Sequence, residues 1–368
     1  MKYDFDEIIS REGTNCYKHE YLMDICGRTD VLPMWVADME FRTPDFVLET
    51  IQKRLAQGIL GYTCPSKEYY DAICRWNSEQ YGLEITREMI NYIPGVVSGI
   101  YMAMLAFTEK RDRILIMDPV YHPFRLTPEG NKREVLLNPL AEQADGSYKM
   151  DFEQLQQLIA AEPKAKLLIL SNPHNPAGIL WDKATLQQLA HICASNNILV
   201  ISDEIHCDMA LWGKQHIPFA SVSEEAAQCS ITFGAPSKTF NIAGIVSSYT
   251  VVPNDSLRDI FFRYLDANEY DSPTIMSVIA AEAAYTYGHE WRKQMLDYVQ
   301  GNIDYVDEYL RKFIPQLHCV KPDASFLVWL DCRKPLRGQV LRSVMHRAML
   351  LSLSDGVQLQ RLMRKQRQ

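Results

Sequence analysis

Between residues 92 and 252 the chain alternates short apolar runs with stretches of helical periodicity, and no other feature limits the fold as strongly. The runs are Arg113-Ile-Leu-Ile-Met117, Lys166-Leu-Leu-Ile-Leu170, Ile198-Leu-Val-Ile-Ser202, Ser230-Ile-Thr-Phe233 and Ser248-Tyr-Thr-Val-Val252. Helical patterns lie between several of them, over 98–107, 152–160 and 185–195. Strands that read as continuous apolar runs are buried on both faces. The pattern therefore predicts an α/β fold, a mainly parallel sheet between helices. Ligands of such sheets bind beyond the carboxyl ends of the strands, so chemistry is to be sought just after each run.

Outside this region the pattern changes. The first 45 residues read as irregular, helices are expected from about 47 to 57 and over 67–81, and Gly82 supplies a stop for the second. Beyond Pro253 the chain turns helical (256–265, 277–287 and 290–312), and a strand-like Ser325-Phe-Leu-Val-Trp-Leu330 follows. We expect a large domain over 46–285 and a smaller α+β domain built from 1–45 and 286–368. The net charge of −8 argues against a general nucleic-acid binder. No apolar run is long enough to cross a bilayer, and the charged N-terminus lacks a signal-peptide core. Nine scattered cysteines without a C-x-x-C pair read as reduced thiols, which points to the cytoplasm.

Five strand-end stretches carry unusual polar residues. Pro94-Gly-Val-Val-Ser-Gly99 opens a helix, whose free N–H groups can hold a phosphate. Asp118-Pro-Val-Tyr-His-Pro-Phe124 offers Tyr121 for stacking on a planar ring and His122 for a hydrogen bond nearby. Ser171-Asn-Pro-His-Asn-Pro-Ala-Gly178 fixes the Asn172 and Asn175 amides at a strand end. Ser202-Asp-Glu-Ile-His206 brings Asp203 to the end of a very apolar strand, where a carboxylate needs a cation or hydrogen bonds. Glu204 should point away, toward a helix or solvent, because side chains alternate along extended chain. Ser237-Lys238 comes last, a lysine in an uncharged stretch whose pKa desolvation would lower. Taken singly, each stretch has an ordinary reading as a turn, a core aromatic, an Asx turn or a surface lysine. Together they answer the needs of one cofactor, pyridoxal phosphate: an amine for its aldehyde, an acid for its ring nitrogen, an aromatic to stack, and N–H groups for its phosphate.

At this level the chain resembles the fold-type I, pyridoxal-phosphate-dependent aminotransferase class I/II superfamily, and within it the cystathionine β-lyase (carbon–sulfur lyase) branch. The likeness rests on Leu32-Pro-Met-Trp-Val-Ala-Asp-Met39, Gly61-Tyr-Thr63, Pro94-Gly-Val-Val97, Asn172-Pro-His-Asn-Pro176, Ser202-Asp-Glu-Ile-His206, Ala235-Pro-Ser-Lys-Thr-Phe-Asn-Ile-Ala-Gly244 and Lys321-Pro-Asp-Ala-Ser-Phe-Leu-Val-Trp-Leu-Asp331. The resemblance implies that Lys238 forms the Schiff base with the cofactor and that Asp203 pairs with the ring nitrogen. It implies that Tyr121 stacks on the ring and that Asn175 and His206 support the ring-hydroxyl side. Val96, Val97 and Ser237 would hold the phosphate. Tyr62 would reach the phosphate of a neighbouring subunit in a homodimer, and Trp35, Ala37 and Asp38 would lie on the substrate side.

Three departures stand out. Aminotransferases of the superfamily usually carry a phosphate-binding arginine a few residues after the lysine, where this chain has Val246; the lyase branch often lacks it too. Lys18-His19-Glu20 stands where the branch usually has Lys-Trp-Asp. The family's closing Gly-rich segment and carboxylate-gripping arginine are not visible. Arg361-Leu362 resembles that motif but arrives too early, so the expectation is a shortened or frame-shifted tail after about 358. The expected reaction is β-elimination from a sulfur-bearing amino acid. The alternatives are transamination at the same site, or a cofactor-binding regulatory protein with little turnover.

Overall fold

Local chemistry sets the boundaries of many elements. Ser66 accepts a hydrogen bond from the Tyr69 backbone N–H at 3.0 Å and starts the helix Lys67–Tyr81, and Gly82 ends it in the left-handed conformation. Asp151, Asp182, Asn254 and Thr274 cap the helices Phe152–Ala161, Lys183–Ser195, Asp255–Ala267 and Ile275–Tyr287 in the same way. The structure is a computed structural model that describes residues 2–331, 333 and 348–352.

Twelve strands occur among the described residues. They are β1 (Ile90–Ile93), β2 (Arg113–Ile116), β3 (Glu134–Leu137), β4 (Ala141–Glu142), β5 (Tyr148–Lys149), β6 (Ala165–Ser171), β7 (Leu199–Asp203), β8 (Ser230–Gly234), β9 (Ser248–Val251), β10 (His318–Cys319), β11 (Leu327–Asp331) and β12 (Ala348–Ser352). Seven build one sheet in the order β1-β9-β8-β7-β6-β2-β3, in which β9 alone opposes its neighbours. The expected α/β class with a mainly parallel sheet is therefore the observed one. Alternate residues of the central strands feed two separate cores. Leu168, Leu170 and Val200 pack on one face, with Leu167, Ile169, Ile201, Ile231 and Phe233 on the other. β4 and β5 form a small antiparallel ladder, and β10, β11 and β12 a three-stranded antiparallel sheet.

A third core joins the two ends of the chain. Phe5, Met39 and Phe41 pack with the helices Lys67–Tyr81, Ile275–Tyr287 and His289–Phe313 and with Phe326–Val328. Several elements lie outside the sequence expectation, among them two short helices, an edge strand and a proline-bearing helix. Short helices Tyr17–Glu20 and Leu22–Cys26 occupy the segment read as irregular. β3 is a four-residue edge strand with exposed ends, and the helix Pro123–Gly130 contains two prolines; neither leaves a clear periodic signal. No described helix is long and apolar enough to cross a membrane, and no metal-binding group of side chains occurs among the described residues. The tail expectation, including Arg361, lies outside the described residues.

Candidate active site

The sheet order gathers the strand-end stretches at one edge. Ladder pairing sets Asp203 level with Ser171 and Phe233, so the three central strands end together. The loop after β6 then turns sharply. The Asn175 N–H donates to Ser171 Oγ at 2.9 Å, and its carbonyl accepts from the Tyr121 N–H at 3.1 Å, tying the loop after β2 to the loop after β6. Asn172 is spent elsewhere: its Nδ2 donates to the Ile217 carbonyl at 2.9 Å. Of the two asparagines, Asn175 is the one beside Tyr121. His122 stands exposed, its ring 5.2 Å from that of Tyr121.

The helix Val96–Phe107 brings its N-terminus to the same edge. Its cap residue, Gly95, has φ +92°, and no side chain caps the first N–H groups, so Val96 and Val97 begin the helix with unclaimed donors. The other glycine of the motif has a packing role. A Cβ on Gly99 would lie 2.6 Å from both Ile93 and Phe233, so only glycine lets the helix sit this close over β1 and β8. Val246, itself in the left-handed conformation, faces this cap, with Cγ1 3.6 Å from where a Gly95 Cβ would be.

Burial sets the electrostatics. Asp203 accepts one hydrogen bond, from the Ile205 N–H at 3.1 Å. Burial pushes its carboxyl up to about 7, against the opposing pull of that N–H and of Lys238. Lys238 moves the other way: burial lowers its pKa, and the charges of Asp38 and Asp203 partly restore it. Its ammonium donates to the Ala37 carbonyl at 2.7 Å. His206 is buried with Nδ1 unpartnered, and burial and Lys238 hold its ring neutral, down to about 3. Burial also raises the Tyr121 hydroxyl, with Asp203 adding to it. Ser237 is buried in the same loop.

The segment 35–43 covers the lysine. Trp35 Nε1 donates to the Lys18 carbonyl at 3.0 Å, Lys18 Nζ donates to the Asp38 carbonyl at 2.8 Å, and Arg11 pairs with the Asp38 carboxylate at 2.8 Å. The cluster thus unites Ala37, Asp38, Val96, Val97, Tyr121, Asn175, Asp203, His206, Ser237 and Lys238, with Trp35 at its rim. Tyr62 is not part of it within one chain. Its side chain is fully exposed, at 110% of the reference area, in a stretch without regular structure. A cavity of about 790 Å³ adjoins the cluster, and its lining includes Tyr121, Asn175, Trp329 and Arg333.

Three further residues carry no local sequence signal, and two of them, Asp208 and Asn241, brace the lysine loop. Glu204 was expected toward a helix or solvent. It does point to a helix, the short Phe219–Ser221, and is buried there, accepting from Ser202 Oγ and the Phe219 N–H and facing His216 Nε2 at 2.8 Å. Asp208 accepts from Trp76 Nε1 at 2.7 Å, from Thr239 Oγ1 at 3.0 Å and from the Tyr81 hydroxyl, which braces the residue next to Lys238. Asn241 ties the lysine loop to residues 39–43. The partners of Asp208 and Asn241 are distant in sequence.

The chain is similar to known proteins. A family model described as aminotransferase class I and II matches residues 29–363. Cystathionine beta-lyase PatB of Bacillus subtilis is 42% identical over 89% of this chain and 84% of its own length. Protein MalY of Escherichia coli is 33% identical over 90% of this chain and 84% of its own. Among solved structures, a pyridoxal-phosphate-bound carbon–sulfur lyase from Staphylococcus hominis superposes with a TM-score of 0.89 at 31% identity, covering 99% of this chain and 96% of that one.

Proposed function

Because the chain belongs to the aminotransferase class I and II family, we propose that it is a pyridoxal-phosphate-dependent carbon–sulfur lyase. Its substrates are amino acids with sulfur at Cβ; cystathionine and water give homocysteine, pyruvate and ammonia. The similarity to PatB supports the lyase branch. The observation that carries the reading is the nearness of a half-buried amine, Lys238, to a buried acid, Asp203, that has a single N–H partner.

The residues fit the cofactor group by group. A phosphate suits the uncapped N-terminus of Val96–Phe107, where the Val96 and Val97 N–H groups and the Ser237 hydroxyl can donate to it. A cationic ring nitrogen suits Asp203, whose pKa burial raises despite the Ile205 N–H and the charge of Lys238. The unpartnered His206 Nδ1 and the Asn175 amide suit the ring-hydroxyl side. When bound, pyridoxal phosphate supplies an aldehyde for the substrate amine and a ring that draws electrons from Cα.

With the cofactor bound, Lys238 would hold its aldehyde at rest and, as a free amine, would take the substrate's Cα proton. Its lowered pKa favours the neutral form that this step needs. Asp203 would hold the cofactor's ring nitrogen, its carboxylate favouring the protonated nitrogen with a charge already in place. Tyr121 would stack on the cofactor ring. Trp35, Ala37 and Asp38 cover the substrate and limit water. Tyr62 completes the phosphate site of a second copy in a homodimer, consistent with its full exposure here. We also assign residues 46–285 to a large cofactor-binding domain and the two ends of the chain to a smaller one. A cytoplasmic setting fits the eight described cysteines, all of them free.

The purified protein should be yellow, and adding cystathionine should release pyruvate and thiol together. Lys238→Ala should lose the colour on dialysis and at least about 10³-fold in pyruvate release. A keto acid formed without thiol or ammonia would mean a transaminase. Colour and turnover unchanged by the substitution would sink the assignment of the lysine.

A further inference from the structure

The lysine loop and the cover segment are joined at one side chain. Asn241 Nδ2 donates to the Met39 carbonyl at 3.0 Å and to the Phe41 carbonyl at 2.7 Å, while its Oδ1 accepts from the Met39 N–H at 3.2 Å. Its own carbonyl accepts from Thr43 Oγ1 at 3.1 Å. Both amide donors and the amide oxygen are therefore committed to backbone more than 190 residues away. The residue has φ +54°, a left-handed conformation that asparagine tolerates better than most side chains. Two residues before Met39 stands Ala37, the residue whose carbonyl accepts from Lys238.

We propose that Asn241 is a positioning residue that holds the cover segment against the lysine loop and so presents the Ala37 carbonyl to Lys238. Without the amide, three backbone groups of the cover lose their partners and water competes for them, so the segment lifts. The lysine then gains solvent. The cost of burial that lowers its pKa is relieved, and the carbonyl that orients its amine is withdrawn. The acids that act on Lys238, Asp38 and Asp203, and the neighbouring His206 are the same in the variants below. The kinetic part of the test rests on the lyase reading, whereas the labelling part does not.

Asn241→Gly removes the side chain, adds no charge and keeps the left-handed backbone accessible. Competitive acetylation of the cofactor-stripped protein across pH, read by mass spectrometry at Lys238, gives the midpoint at which the amine becomes reactive. In N241G that midpoint should rise by about one pH unit, toward an ordinary lysine. In the cofactor-loaded protein, KM for cystathionine should rise about tenfold, with a smaller fall in kcat. A lower melting temperature with the parent's midpoint and KM would overturn the proposal, since a merely structural residue behaves that way. Thr43→Val, which loses one of the four contacts, should move the midpoint in the same direction by less. If N241G does not fold, an unchanged midpoint in T43V overturns the proposal. A parent that releases no pyruvate refutes the lyase reading and leaves the labelling result to decide the role of Asn241.

Discussion

Asp203 and Asp208 lie five residues apart, both buried, on opposite sides of the turn that follows β7. Asp208 accepts from an indole, a phenol and a threonine hydroxyl, and Arg292 Nε donates to its backbone carbonyl at 2.5 Å. It welds the helices Lys67–Tyr81 and His289–Phe313 to the lysine loop. Asp203 accepts one backbone N–H and otherwise faces the open sheet edge. A buried carboxylate that its own fold satisfies is a strut. One left short of donors makes room for a cation from outside.

The largest effect should come from exchanging the two acids in turn. Asp203→Asn is isosteric but carries no charge, and turnover should fall about 10²–10³-fold, with weaker retention of cofactor on dialysis. Asp208→Asn should instead cost about 1–3 kcal/mol in chemical denaturation, because an amide now faces three donors, and kcat should change little. Equal losses of kcat in the two variants would erase the distinction between them.

Next in size is the dependence on pH of the cofactor-free protein. Asp203 keeps its proton to about 7 when folded, whereas an unfolded aspartate ionises near 3.9. Between those values the native state binds the extra proton, so this group contributes less stability as pH rises. His206, held down to about 3 against roughly 6.5 unfolded, works in reverse and adds stability as pH climbs between those values. In D203N only the histidine contribution persists. Its melting temperature, measured relative to the parent, should therefore increase steadily from about pH 4 to 7. A constant offset across that range would show that Asp203 does not titrate as described.

The smallest contrast divides the two Asn-Pro pairs. Asn175→Ala should weaken cofactor retention or turnover about tenfold, while Asn172→Ala, which loses the bond to the Ile217 carbonyl, should cost about 1 kcal/mol of stability and leave the cofactor in place. The reverse pattern would exchange their roles.

The strands of the large sheet were legible because burial on both faces demands unbroken apolar runs, and β6, β7 and β8 fall within a residue or two of the runs that announced them. The motifs at their ends were legible for a related reason. Proline, glycine and asparagine fix a loop locally, and Lys238 and Asp203 are conspicuous in apolar surroundings. The edge strand β3 was not, because four half-exposed residues carry no period. Nor was the reversed direction of β9, since a buried strand of either direction has the same composition.

What the sequence by itself determined was the fold class, the edge of the sheet that carries the chemistry, and the residue types that meet there. Those follow from periodicity and from the conformational limits of single residues. Only the tertiary structure decided that Asn172 is spent on the Ile217 carbonyl, that Glu204 meets His216, and that Asp208 and Asn241 brace the lysine loop. Each of those depends on a donor or acceptor supplied by chain far away, and a hydrogen bond leaves no mark on the sequence around either partner.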